Sequence, residues 1–238
     1  WRPRDSKCLV VCTTLSNPSG ATLSPERRQR LVEVCRETGV RLIEDDIYAE
    51  LADSGAPKPC RAYDDGSVVS FVTSFSKTVS PGSRVGYALP GTPELYDAFA
   101  ARKTQQDIHS SVVSEVGLRT FIQQGSLDPH LNTLRERYRE RRALALRTIE
   151  AHFPAGTRTV VPEGGFMLWV ELPEAYPASC LAAVKTAARQ EGVIFGSGEV
   201  FFAEAPAKAY LRLGLAKASL PDLERGIATL GRLIRAQV

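Results

Sequence analysis

The sequence predicts an α/β fold: a parallel, helix-covered sheet followed by a small α+β domain. Three observations predict it. Apolar, β-branched runs at 7–13, 40–43 and 68–72 have the character of buried strands. Strand, helix and strand follow one another at the spacing of a βαβ unit. At Pro154-Ala155-Gly156 a long helical stretch ends, and short strands and helices mix from there on. The expected domains are therefore 1–152 and 153–238.

The elements follow in order. Residues 7–13 form a strand, and Asn17-Pro18-Ser19-Gly20 marks a turn. Ser24-Pro25 is an N-cap with proline at the first helical position. Leu31, Val34, Cys35 and Thr38 share a helical face that Gly39 closes. Residues 40–43 are the next strand, ending in Glu44-Asp45-Asp46-Ile47-Tyr48. The stretch 52–66, with Gly55, Pro57, Pro59 and Gly66, reads as a surface loop. Strands at 68–72 and 85–89 flank the segment 74–84. Helices are expected at about 93–106, 109–124 and 127–152, the last with a solvated face of interleaved Arg and Glu. Strands at 159–161, 165–172 and 209–215, and helices at 177–191 and from Ser219 to about 236, complete the second domain.

Composition narrows the class. The chain has 238 residues, 43% hydrophobic and 24% charged, with 30 Lys+Arg against 27 Asp+Glu. That balance does not point to nucleic-acid binding by charge. Five scattered cysteines with no Cys-x-x-Cys read as free thiols in a reducing compartment. No apolar run approaches the roughly 20 residues that span a bilayer. The expectation is a cytoplasmic protein. The opening Trp1-Arg2-Pro3-Arg4, without an initiator Met, suggests a fragment.

Three loops lie at the C-terminal ends of the candidate parallel strands, where ligands of open α/β sheets bind. They are Asn17 to Gly20, Asp45 to Tyr48, and Ser74-Phe75-Ser76-Lys77-Thr78-Val79-Ser80-Pro81-Gly82-Ser83-Arg84. Hydroxyls and a guanidinium hold a phosphate well. A partly desolvated lysine beside another cation becomes a nucleophile towards carbonyls. A carboxylate keeps a pyridine nitrogen protonated, and an amide and a phenol can hydrogen-bond a ring oxygen. Together these suit pyridoxal phosphate. Taken alone, Lys77 and Arg84 read equally well as surface cations on a loop. Asp46 reads as a solvated loop acid, and His109, His130 and His152 as structural residues.

Asn-Pro-Ser-Gly, then Asp-x-x-Tyr, then Ser-x-Ser-Lys with Arg seven residues on, resembles the fold-type I pyridoxal phosphate-dependent aminotransferases of class I/II. The likeness is to the aspartate and α-aminoadipate/kynurenine groups and covers essentially the whole chain. It implies the aspartate aminotransferase-like fold, here the C-terminal part of the large domain plus the small domain. It implies Lys77 as the imine-forming catalytic lysine and Asp45 as partner of the pyridinium nitrogen. Tyr48 and Asn17 would contact the ring 3-oxygen, and Ser74, Ser76 and Arg84 the phosphate. Arg212, in Tyr210-Leu211-Arg212-Leu213, would grip a substrate α-carboxylate with help from Asn17.

The implied activity is transfer of an amino group between an α-amino acid and a 2-oxo acid, in a homodimer. The family carries a glycine-rich phosphate turn and a ring-stacking aromatic upstream, so the expectation is that residues 1–238 alone are not a competent enzyme. Two alternatives stay open. One is the effector-sensing domain of a MocR-type regulator of the GntR family, which resembles the same enzymes and carries a winged helix upstream. The other is different pyridoxal phosphate chemistry on the same fold. Gln105 to Ser110 and Gly198-Glu199-Val200-Phe201-Phe202-Ala203 look more like the α-aminoadipate-type enzymes than the regulators.

Overall fold

The computed structural model describes residues 7–238. The first six, including the unusual opening, lie outside the described residues. Contacts group the described residues into two compact units: 7–16 with Ala21–Leu134, and Asn17–Gly20 with Arg135–Val238.

The first unit is built on a four-stranded sheet, β1 (Cys8–Val11), β2 (Arg41–Asp45), β3 (Val69–Ser74) and β4 (Gly86–Leu89), in that spatial order. The first three strands are parallel, with Leu9 opposite Leu42 and Leu42 opposite Val69. The fourth is antiparallel to β3, with Ser74 opposite Gly86. The all-parallel expectation is corrected here. Only residues 75–85 join β3 to β4, and a parallel crossover needs a dozen or more residues. A side chain at position 86 would bring Cβ to 2.5 Å from the Thr73 carbonyl oxygen, so the close return needs glycine.

Helix α1 (Pro25–Thr38) covers this sheet. Ser24 accepts from the Arg27 N–H, and Gly39 closes the helix at φ 68°. Its buried face is Arg28, Val32 and Cys35, rotated from the expected one because Arg28 packs inward. A 3-10 turn, Ala49–Leu51, directly precedes the stretch expected as a plain surface loop, and a second, Cys60–Tyr63, lies within it. The second is held inward, and Cys60 is fully buried with its thiol pushed up to about 12, chiefly by burial.

Helices α2 (Pro93–Asp107), α3 (Val112–Gln123) and α4 (Leu127–His152) follow, with Thr92 and Ser111 capping the first two.

The second unit holds a sheet of β5 (Arg158–Thr159), β6 (Met167–Glu171), β7 (Gly196–Ser197) and β8 (Tyr210–Gly214), antiparallel throughout, in the order β5-β6-β8-β7. Strand β5 stops before Val160 and Val161, which are exposed. Leu168, Val170, Leu211 and Leu213 alternate onto one face and pack with α5 (Cys180–Gln190) and α6 (Leu220–Arg235). Ala145, Ile149 and Phe153 from the end of α4 belong to the same core. The compact units part at Leu134/Arg135, within α4, in keeping with the packing of the end of that helix in this core.

Candidate functional site

In the first unit, the parallel pairing of β2 with β3 sets Asp45 beside Val72 and brings both C-terminal strand ends to one edge. The Asp46 N–H reaches the Val72 carbonyl at 2.9 Å, and the Thr73 hydroxyl the Asp46 carbonyl at 3.2 Å. From this edge the chain enters the lysine turn, which the Val79 and Ser80 N–H groups close onto the Phe75 carbonyl at 2.8 and 3.1 Å.

Three of the expected phosphate ligands come together. The Ser74 Oγ donates to Ser76 Oγ at 2.9 Å and accepts from the Ser76 N–H at 3.1 Å. Arg84 Nη1 reaches Ser76 Oγ at 3.5 Å. Arg84 holds φ 53°, the left-handed region. That costs a non-glycine residue about 1–3 kcal/mol, and such strain clusters at ligand clamps. No carboxylate pairs with Arg84 among the described residues, so two hydroxyls and a guanidinium form a cradle without an anion of their own.

Lys77 is half-buried, and among the described residues it has neither an ion pair nor a hydrogen-bond partner. An amine held that way is available to a ligand. Asp45 is likewise half-buried without an ion pair among the described residues. Burial raises its carboxyl above the ordinary range, and the Ile47 N–H offsets this in part. Tyr48 is buried at the end of the same strand.

Asp46 departs from its expected role. It is 8% exposed, not a solvated loop acid, and its Oδ1 finds no partner among the described residues. Burial raises its pKa, while the Thr14 hydroxyl works against the rise.

In the second unit, Arg212 Nη1 donates to Asn17 Oδ1 at 3.2 Å, joining residues far apart in sequence. The guanidinium carbon lies 5.3 Å from the Phe201 ring centroid. No carboxylate pairs with Arg212 among the described residues.

Several supporting residues escaped the sequence reading. Arg28 is fully buried and donates to the Leu23 and Thr13 carbonyls and the Thr13 and Thr14 hydroxyls at 2.9–3.0 Å. Glu44, equally buried, accepts from the Thr13 hydroxyl and the Cys60 and Arg61 N–H groups at 2.8, 2.8 and 3.0 Å, and pairs with Arg28 at 3.7 Å. This network fixes the chain just before Asn17 and the strand that carries Asp45. No local pattern distinguishes either residue from a solvated charge. His130 is structural as expected: its Nε2 donates to the Thr78 carbonyl at 2.8 Å, directly after the lysine.

An open α/β sheet that gathers at its C-terminal edge an anion cradle, and a lysine and a carboxyl without an ion pair among the described residues, defines a ligand-binding protein of the phosphate-cofactor class. Within that class the chain belongs to the family described as aminotransferase class I and II, whose profile matches residues 2–230.

Among curated relatives, the chain is 30% identical to aromatic-amino-acid aminotransferase 1 of Thermococcus litoralis, over 98% of this chain and 55% of that protein. It is 33% identical to the uncharacterized HTH-type transcriptional regulator YdfD of Bacillus subtilis, over 98% of this chain and 47% of that protein. The chain thus spans about half the length of the curated relatives it matches.

Among solved structures, Pyrococcus horikoshii kynurenine aminotransferase aligns with a TM-score of 0.89 at 30% identity, over 98% of this chain and 57% of that one. LysN, the α-aminoadipate aminotransferase of Thermus thermophilus, aligns at 0.84 and 28%, over 96% and 58%. It was solved with N-(5'-phosphopyridoxyl)-L-leucine. The fold is that of the fold-type I enzymes.

Pyridoxal phosphate is the cofactor this family implies, and the residues present fit it. The anion-free cradle of Ser74, Ser76 and Arg84 matches a phosphate. The unpaired Lys77 matches an aldehyde, and the unpaired Asp45 matches a protonated pyridine nitrogen.

Proposed function

We propose that the protein carrying this chain is a pyridoxal phosphate-dependent aminotransferase that moves an amino group between an α-amino acid and a 2-oxo acid. The observation that carries the reading is the half-buried, unpartnered Lys77 on a turn that opens with the anion cradle. Bound pyridoxal phosphate supplies an electron sink that stabilises negative charge at the substrate Cα. Ser74, Ser76 and Arg84 hold the phosphate through charge-assisted hydrogen bonds. Asp45 would face the pyridine nitrogen and, as a carboxylate, favour its protonated form. Tyr48 and Asn17 contact the ring oxygen. Lys77 Nζ would hold the cofactor aldehyde and, once free of it, would serve as base and acid at the substrate Cα. Arg212 takes the α-carboxylate, with Asn17 holding one of its nitrogens. Division into a cofactor domain over 1–152 and a small domain over 153–238, a homodimeric assembly and a cytoplasmic location complete the proposal.

A second reading has its own support in the similarity to YdfD. There the same residues would bind cofactor and amino acid to report the amino acid to a DNA-binding module. Cofactor titration of the full gene product that carries this chain, followed by a panel of amino acids, separates the two. An absorbance band that is lost in Lys77→Ala and converted with turnover by an amino acid supports the aminotransferase. A band that shifts without turnover supports the regulator, and no band at all removes both.

A further inference from the structure

The face of the small sheet opposite its core carries an aromatic cluster with no assigned part in the chemistry. Trp169 and Arg212 are cross-strand partners of β6 and β8, and Tyr210 lies two residues before Arg212 on the same face. The Trp169 and Tyr210 rings stack at 5.4 Å and 13°. Phe201 meets Trp169 edge-on, with centroids 5.8 Å apart and planes at 89°. Its own face lies 5.3 Å from the Arg212 guanidinium carbon. The ring of Phe201 thus packs perpendicular to Trp169 while the arginine lies over its face.

The backbone is built for this placement. Phe201 ends the 3-10 turn Gly198–Phe201, which leaves the short strand β7 beside β8. A Cβ at position 198 would collide with Tyr210 Cβ, come 2.6 Å from the Tyr210 carbonyl oxygen and 2.8 Å from Trp169 Cη2. Gly198 is not among the glycines with positive φ, so close approach, not conformational freedom, demands glycine there. On the other side, a Cβ at Gly196 would lie 3.4 Å from Arg212 Cβ and Nε. These two glycines let the turn press its aromatic residue against the arginine.

We propose that Phe201 is a positioning residue for Arg212. With Nη1 on Asn17 Oδ1 and Cζ over the Phe201 ring, the guanidinium is restrained at two points and keeps donors for a carboxylate. An aromatic ring suits this role because it attracts the cation without neutralising it. A carboxylate partner would hold the arginine as firmly but compete with the ligand. Gly198 acts one step further back by letting the turn seat the ring. The inference rests on the reading of Arg212 as the α-carboxylate ligand.

The probe is L-alanine, whose methyl side chain leaves little for the rest of a pocket to select. Single-turnover conversion of the cofactor-loaded gene product is followed against L-alanine concentration, giving an apparent Kd and a limiting rate. Phe201→Leu should weaken the apparent Kd about tenfold, the scale of a partly desolvated cation–π contact, while changing the limiting rate far less. Phe201→Tyr should keep near-normal affinity, and thermal melting should confirm that both variants fold.

The deciding comparison is made in an Arg212→Gln background, where Phe201→Leu should have no further effect. An equal loss there means that the ring contacts the amino acid directly and overturns the proposal. Unchanged affinity in Phe201→Leu alone overturns it too. If Arg212→Gln by itself leaves L-alanine affinity intact, or if the intact protein shows a cofactor band but no response to L-alanine, the carboxylate reading fails and this inference with it. The melts and the cofactor band separate either result from a loss of fold.

Discussion

Replacing Glu44 by alanine should remove a large share of the first unit's stability. Four groups lose their partner at once: the Arg28 guanidinium, the Thr13 hydroxyl, and the backbone N–H groups of Cys60 and Arg61. Breaking a buried ion pair from one side costs about 3–5 kcal/mol, because the remaining charge stays buried. Each abandoned buried donor adds about 1–3 kcal/mol, reduced where water enters the space left by the side chain. Arg28 keeps its bonds to Thr13, Thr14 and Leu23, so a net loss of about 5 kcal/mol is expected, against the roughly 5–15 kcal/mol by which folded domains are stable. Glu44→Gln retains one acceptor oxygen and should lose about half as much. Urea unfolding of the full gene product measures the loss. Hydrogen exchange at the Cys60 and Arg61 amides locates it, since both should lose protection before the sheet does. A loss below about 1 kcal/mol in Glu44→Ala, or equal losses in the two variants, would falsify the reading that Glu44 is the buried partner of all four groups.

Three further outcomes follow from the same geometry. His130→Phe keeps an aromatic ring beside Phe121 but strips the donor from the buried Thr78 carbonyl, so thermal melting should show a loss of about 1 kcal/mol. Asp46 has a folded-state pKa above its ordinary value, so the folded state prefers the protonated form. The stability it contributes is full below the unfolded pKa and is lost as pH rises through the folded value. Asp46→Asn should therefore raise the melting temperature at neutral pH, and the gain should vanish in acid below about pH 4. A gain that persists in acid would show that burial of the charge was not its source. Gly231→Ala would push a Cβ into the His152 carbonyl group, where α6 meets the end of α4. It should lower the urea midpoint by the equivalent of about 1–3 kcal/mol, and a neutral effect would mean that the helix junction yields freely.

Much of the fold was legible because local chemistry repeats itself wherever it is used. Ser24-Pro25 and Gly39 bound α1, and Thr92-Pro93 opens α2, because capping depends on a few neighbouring residues. The span of α4 and the apolar alternation in β6 and β8 could be read in the same way. The family was legible from the ordered motifs, since their spacing along the chain is itself a sequence property.

What the sequence determined by itself was the identity and order of the chemical groups at the sheet edge: two serines, a lysine, an arginine, an aspartate and a tyrosine. The tertiary structure decided which of them lack a partner. Among the described residues Lys77 and Asp45 stand without an ion pair, whereas Arg28 and Glu44, no different in composition, satisfy each other inside the fold. The structure also turned β4 antiparallel, buried Asp46, and set Phe201 and Asn17 against Arg212. Burial and pairing depend on residues distant in sequence. The free energy of a charge is set by what surrounds it, and only folding supplies those surroundings.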